Sequence, residues 1–306
     1  MSAETTPPRD ALPRLGFIGL GTMGSRMCQR LLAADYPLTV FNRTRARADP
    51  LLSQGATWAS TPKELAARSD VVLSSLSNDA AVRGMYLGHN GVGEGAAPGT
   101  LCLDLSTAAP DTARQIAKAL RARDVAMLDA PVSGSVPQVE SGSLVIFVGG
   151  EESALESASP LLSVLGKTTL HMGGNGMGAT MKLVVNALLG SSLQTLAEAI
   201  VLGERAGLEK SRLLDALGQT AVVAPNHRVK LENVAHEEYP AAFSLQLMHK
   251  DFGLIMALAH RLAVAMPATA VADQMCAAEV ARHHQEDMSA TIELMEELAG
   301  TLPTTH

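Results

Sequence analysis

Short apolar runs recur through the first half of the chain, with helical patterns between them. LGFIGL (15–20), LTVFN (38–42), VVLSSL (71–76), TLCLDL (100–105), VAMLDA (125–130) and SLVIFVGG (143–150) read as strands. SRMCQRLLAAD, RARADPLLSQG, TPKELAARS and PDTARQIAKALRAR lie among them and read as helices. Near-continuous apolar strands are strands buried on both faces, and strands alternating with helices join in parallel through crossovers. After about residue 172 the strand signals stop. The remainder reads as helices over 176–206, 211–219, 225–235, 245–263, 267–285 and 289–299, with Gly207 and Gly218 as helix stops and Pro267 as a helix start. A chain of 306 residues is too long for one ordinary core. The expectation is a leader over 1–13, an α/β domain over 14–174 and an all-α domain over 175–306, joined by a long helix that opens the second domain.

Composition narrows the function. Hydrophobic residues make up 47% and charged residues 18%, and the net charge is −7, which argues against nucleic acid or an anionic membrane surface as the main partner. No run of about 18 apolar residues is free of polar interruption, so no membrane span is expected. MSAETTPPRDALPR lacks the apolar centre of a signal peptide, and Cys28, Cys102 and Cys276 are odd in number and widely spaced. Both observations fit reduced thiols in a cytoplasmic protein.

GLGTMG places Gly19, Gly21 and Gly24 in G-x-G-x-x-G spacing, directly after the first strand and at the start of a helix. In that context the first glycine permits a tight turn, the second lets backbone approach a pyrophosphate, and the third lets helix pack on strand. With Thr22 and Met23, these residues form a Rossmann-type dinucleotide loop at a helix N-terminus, which favours an anion. An acidic residue that would grip the adenosine ribose is expected about 20 residues on. Here Asn42, Arg43, Thr44 and Arg45 stand instead. A guanidinium and a hydroxyl bind a 2′-phosphate that a carboxylate would repel, so NADP(H) is expected in preference to NAD(H), with a solvated basic stretch as the plainer reading. Thr107 in DLST and Ser75, Leu76 and Ser77 in SLSNDAAV end strands at the edge where doubly wound sheets bind ligands; capping of the next helix is the competing role.

Two further segments carry polar groups where they are not needed for folding. DAPVSGSVPQVESGSL (129–144) follows a strand, and its Ser133, Gly134 and Ser135 suit a small carboxylate, although such loops are often only loops. HMGGNGMGATMKLVVN (171–186) has four glycines, at 173, 174, 176 and 178, then an apolar helix interrupted by Lys182 and Asn186. The two are i, i+4 and share a helix face, with Gly178 one turn earlier leaving room on it. A cleft lined by that face is expected. A lysine buried there loses hydration, its pKa falls toward neutrality, and it becomes a general acid and base, with Asn186 holding the reacting oxygen. A lysine that snorkels to water is the plainer reading. LMHKDFG (247–253) adds Lys250 and Asp251, and His249, His283 and His284 lack a metal-ligand pattern.

Together these segments resemble the β-hydroxyacid dehydrogenase family over residues 14–300. GFIGLGTMG is similar to its dinucleotide signature, DAPVSGS…SG to its substrate loop, and KDFG to its K-D-x-G cofactor motif. GGNGMGATMKLVVN matches G-x-x-G-x-G-x-x-x-K-x-x-x-N at every specified position. The resemblance implies that Lys182 is the proton donor and acceptor and that Asn186 positions substrate. Ser133 and Gly134 would bind its carboxylate, and Thr107 and Lys250, with Asp251 beside it, would meet the cofactor. It also implies a homodimer or homotetramer. The chain departs from the pattern at Ser135, where the family usually has glycine, and at Val139, where it often has alanine; both are expected to bear on the substrate loop. An imine reductase of the same plan usually lacks the lysine, a 6-phosphogluconate dehydrogenase has a longer C-terminal domain, and a non-catalytic NADP-binding protein would not need Lys182.

Overall fold

The structure is a computed structural model that describes residues 12–283 and 285–301. Most of the expected leader, residues 1–11, and His284 lie outside the described residues. The chain divides into two compact units, Met1–Lys182 and Leu183–His306.

The strands of the first unit are β1 (Leu15–Ile18), β2 (Leu38–Phe41), β3 (Thr57–Trp58), β4 (Val71–Ser74), β5 (Leu101–Asp104), β6 (Ala126–Asp129), β7 (Val132–Ser133), β8 (Leu144–Gly149) and β9 (Gly166–Gly173). Its helices are α1 (Thr22–Ala33), α2 (Asp49–Leu52), α3 (Pro62–Ala67), α4 (Asp79–Leu87), α5 (Val92–Gly95), α6 (Pro110–Arg121), α7 (Val136–Glu140) and α8 (Glu152–Leu165). The strands form one sheet in the order β3-β2-β1-β4-β5-β6-β8-β7, with β9 paired to β8. The first six strands are parallel, as β1 pairs with both β2 and β4. β8 runs antiparallel to β6 and β7 and parallel to β9. Helices cover both faces. Met27, Cys28 and Leu31 of α1 pack with Leu161, Leu162 and Leu165 of α8 on one side, and Leu65, Tyr86, Ile116 and Leu120 pack on the other. Strand order reverses between β1 and β4, so the crevice beyond their carboxyl ends is the natural ligand position.

α9 (Met177–Arg205) starts in the first unit and continues into the second, which also holds α10 (Lys210–Gln219), α11 (Pro225–His236), α12 (Leu245–Arg261), α13 (Pro267–His283) and α14 (Thr291–Ala299). The core of this unit gathers Leu193, Ala197 and Ile200 of α9 with Met248, Phe252 and Ile255 of α12, and with Ala272 and Cys276 of α13. Gly190 lets α12 come close: a Cβ there would lie 2.3 Å from Phe252 Cζ. All three cysteines are buried and free.

Several expectations need correction. β3, β7 and β9 were not expected, and neither were α4, α5, α7 and α8. The stretch 45–55 is only a 3₁₀ turn, Arg45–Ala48, followed by α2. The apolar helix around Lys182 and Asn186 was read as largely buried, and α9 is not, since Leu188 and Leu202 are 70% and 72% exposed. It is also, by length and a mean hydropathy of 1.4, apolar enough to cross a membrane, and 44% of that window is buried within the protein.

Candidate functional site

The glycine loop after β1 is built as its spacing requires. Gly19 has φ +97°, and a Cβ on it would sit 2.2 Å from Ser75 O at the end of β4. A Cβ on Gly24 would meet Gly19 O at 2.1 Å, so α1 packs against its own turn. Gly21 differs: a Cβ there meets nothing within 4 Å. The absence of a side chain at Gly21 therefore serves no internal contact. It opens a cleft of about 380 Å³ lined by Leu20, Gly21, Thr22, Ser25, Arg47 and Leu51. No side chain caps α1 at Gly21, and Thr22 lines this opening while Met23 packs against the core. These residues fit the pyrophosphate of a dinucleotide.

Asn42, read as a ligand of the ribose, also has a structural task. Its Oδ1 accepts from Leu20 N at 3.0 Å and its Nδ2 donates to Thr44 O at 2.9 Å, which ties the glycine loop to the segment after β2. Arg43 and Thr44 are exposed. Arg45 is occupied: it pairs with Asp49 at 2.9 Å and lies over the Trp58 ring at 5.0 Å. Arg47, which sequence reasoning missed, lines the cleft instead. Its signal was available, since a basic residue three positions after Thr44 returns to the same side of a 3₁₀ turn.

A buried network supports the rest of this edge. Asp104, ending β5, accepts from Ser74 Oγ at 2.7 Å and from Ser106 Oγ at 2.5 Å, and Ser106 Oγ accepts from Leu76 N at 2.8 Å. Burial raises the Asp104 pKa, and the Ser106 and Ser74 hydrogen bonds oppose the rise. Ser75 and Leu76 are thereby fixed beside Gly19 and half-buried. The cap of α4 is Asn78, which accepts from Ala81 N at 2.9 Å, so neither Ser75 nor Ser77 plays that part. Ala109 is the N-cap of α6, so Thr107 is not its cap either.

In the loop after β6, Ser133 is half-buried in β7 and Gly134 has φ +130°. Ser135 N donates to Gln138 Oε1 at 2.8 Å, and Ser135 is the N-cap of α7. Ser135 was expected to help hold a carboxylate, and its N–H is already taken. Val139, expected to line or abut the substrate loop, lies in α7 directly after it and is fully buried in the core beside α1.

Two glycines of the cluster, Gly176 and Gly178, answer to packing, whereas Gly174 borders open space. Gly178, expected to leave room for a ligand, is approached by the sheet itself: a Cβ would lie 2.4 Å from Phe147 O and 2.5 Å from Asp129 O. Gly176 has φ +90°. Asp129, buried at the end of β6, accepts from Gly176 N at 2.7 Å and from Ala179 N at 2.9 Å. Asn175 Nδ2 donates to Met127 O at 2.7 Å. Sequence reasoning missed Asp129; the signal was an acid closing an otherwise apolar strand.

Lys182 follows one turn later. It is half-buried rather than buried. In the second unit, Asn186 is fully buried and its Nδ2 donates to Asp251 Oδ2 at 2.5 Å. Lys250 Nζ lies 2.6 Å from Asp251 Oδ1, an ion pair by distance whose angles are not those of a hydrogen bond. Asn186 Oδ1 is buried with no hydrogen-bond partner among the described residues. The structure thus brings Asn186, Lys250 and Asp251 into one knot, with the amide oriented by the carboxylate.

Two family models cover nearly the whole chain. The NAD binding domain of 6-phosphogluconate dehydrogenase matches residues 14–174, and the NAD-binding of NADP-dependent 3-hydroxyisobutyrate dehydrogenase matches residues 176–295. The chain is 35% identical over 298 residues to glyoxylate/succinic semialdehyde reductase 2 of Arabidopsis thaliana, covering 95% of this chain and 83% of that protein. It is 38% identical over 263 residues to the NAD-dependent L-serine dehydrogenase of Pseudomonas aeruginosa, covering 84% and 88%. A solved structure of 3-hydroxyisobutyrate dehydrogenase with L-serine, from Mycobacterium tuberculosis, matches with a TM-score of 0.84 at 30% identity, covering 93% of this chain and 99% of that one.

Proposed function

Because the chain belongs to the β-hydroxyacid dehydrogenase family, whose members are nicotinamide-dependent oxidoreductases acting on CH–OH, we propose that it interconverts a small β-hydroxy acid and its semialdehyde, or reduces glyoxylate or succinic semialdehyde, with NADP(H) as the preferred cofactor and Lys182 as general acid and base. The observation that carries this reading is the placement of Lys182 and Asn186 one turn apart on α9, directly after the glycine-rich turn. The nicotinamide cofactor, when bound, supplies or takes the hydride. The Lys182 ammonium donates a proton to the carbonyl oxygen as negative charge develops there, an interaction strongest in the transition state. In the oxidative direction, neutral Lys182 removes the hydroxyl proton. Asn186, held by Asp251, leaves its Oδ1 to accept from a substrate hydroxyl. Ser133 and Gly134 hold the carboxylate, so a substrate without one reacts poorly.

Arg43, Thr44 and Arg47 are the groups for a 2′-phosphate. In the double variant Arg43→Ala with Arg47→Ala, kcat/KM for NADPH should fall by roughly 10–100-fold, the worth of one or two charge-assisted hydrogen bonds, while NADH is unaffected. Equal loss with both cofactors removes the NADP preference. Self-association into a dimer or tetramer belongs to this reading as the usual symmetric outcome; sedimentation as a monomer at micromolar concentration overturns it.

The deciding experiment is a screen of purified protein with NADPH and NADH against glyoxylate, succinic semialdehyde, methylmalonate semialdehyde and tartronate semialdehyde. The oxidative arm uses their hydroxy acids and, following the relatives' names, L-serine. Lys182→Ala should lose at least ~10²–10⁴-fold in turnover while still binding NADPH. Near-native turnover in that variant would refute the assignment, and turnover of cyclic imines alone would favour the imine reductase reading.

A further inference from the structure

The proton-carrying lysine of the reading above sits on a helix whose first turn is bolted to the sheet, and the bolt is a carboxylate. We propose that Asp129 is a positioning residue for Lys182, holding the first turn of α9 against the ends of β6 and β8 through two backbone hydrogen bonds. The inference rests on the assignment of Lys182 as acid and base.

Four observations within the first unit support it. Both Asp129 oxygens are used on one turn: Oδ1 accepts from Gly176 N and Oδ2 from Ala179 N, at 2.7 and 2.9 Å. Ala179 is three residues before Lys182, so the bonded N–H and the lysine belong to consecutive turns. Glycines clear the space for this contact. A Cβ on Gly149 would lie 2.7 and 2.8 Å from the two carboxylate oxygens, and a Cβ on Gly178 would strike Phe147 O and Asp129 O. Asn175 adds a further tie from the same turn to Met127 O.

The carboxylate is 2% exposed. With both oxygens engaged it is not placed to exchange protons with a substrate, so a direct catalytic role is unsuited to it. Its bonds also occupy the N–H groups at the start of α9, which otherwise would attract a ligand anion. What remains is placement. A shift of about 1 Å in a reacting group costs on the order of 10²-fold in rate even when the change is remote from the chemistry.

The test uses the full chain in four forms: wild type, Asp129→Asn, Asp129→Glu and Lys182→Ala. In Asp129→Asn, one of the two N–H groups faces an amide NH₂, and the turn loosens. Turnover should fall by roughly 10–100-fold while KM for NADPH stays within about twofold, because the glycine loop after β1 is untouched. Asp129→Glu keeps the charge but moves it by one methylene. It should fold and lose turnover to a smaller degree, and it carries the test if the asparagine variant does not fold. Folding is read from far-UV circular dichroism and Trp58 emission. A folded Asp129 variant with wild-type turnover overturns the inference, and so does a parallel loss of NADPH affinity and turnover, which marks a merely structural role. If Lys182→Ala keeps its turnover, the assignment of the lysine fails first; if it is inactive while the Asp129 variants are not, only the positioning role fails.

Discussion

Substituting Gly178 by alanine adds one methyl group at the junction between α9 and the sheet, and its cost can be worked from the geometry. The new Cβ would lie 2.4 Å from Phe147 O, 2.5 Å from Asp129 O and 2.8 Å from Gly149 N, all backbone atoms that no rotamer change can move. Relieving the closest contact to ~3.4 Å requires the start of α9 to withdraw by about 1 Å. That stretches the Gly176 N–Asp129 contact from 2.7 Å to ~3.7 Å, outside hydrogen-bond range. Overpacking contributes ~1–3 kcal/mol and each weakened bond to the buried carboxylate ~1–3 kcal/mol. The better helix propensity of alanine returns up to ~1 kcal/mol. With both bonds weakened, the expected net loss is ~2–8 kcal/mol in the first unit. Trp58, the single tryptophan, lies in β3 of that unit, stacked on Phe41 with ring centroids 5.9 Å apart. Urea unfolding followed at its emission therefore reports this unit, and far-UV circular dichroism reports the whole chain. A tryptophan transition within ~0.5 kcal/mol of wild type would show that the junction yields without cost, and the reasoning about its rigidity would be wrong.

Other glycines should respond with different signs. Gly253 lies inside α12 with nothing within 4 Å of where an added methyl would sit, so Gly253→Ala should raise stability by ~0.5–1 kcal/mol, and a lower thermal midpoint would contradict this. Gly190→Ala should destabilise the second unit by ~1–3 kcal/mol, because the methyl meets Phe252 at 2.3 Å and Met248 at 2.9 Å; circular dichroism melts check it. His227 is buried against Leu189 O, and burial lowers its pKa. Its neutral form is favoured in the fold, so stability is full above pH ~6.5 and declines as the pH falls through the lowered folded value. His227→Gln should flatten part of that decline between about pH 7 and 5, and an unchanged slope in urea midpoints would refute the assignment.

The alternation of β1, β2, β4, β5, β6 and β8 with helices was legible because those strands are apolar on both faces. β3 and β7 have two residues each and carry no period. β9 reads Gly-Lys-Thr-Thr-Leu-His-Met-Gly, mostly half-exposed, and its polar residues hide a strand that is held by pairing with β8. α8 was hidden by Pro160, which stands inside the helix and still allows it to continue. The site divides in the same way. Gly19, Gly24, Lys182 and Asn186 announce themselves by spacing. Asp104, Asp129 and the bond from Asn186 to Asp251 depend on which chain segments meet, and spacing carries no record of that. The glycines were visible, yet their surroundings were not: Gly178 is pressed by the sheet, whereas Gly21 borders an open cleft.

The three sequestered thiols give this protein a gauge of its own opening. Cys28 and Cys102 lie in the first unit and Cys276 in the second, and burial pushes their pKa values up, that of Cys276 to about 12. Neither accessibility nor thiolate character lets a reagent reach them in the closed fold. Alkylation rates at each position, read by mass spectrometry in native buffer, therefore count excursions of each unit separately, with no label introduced and no residue changed.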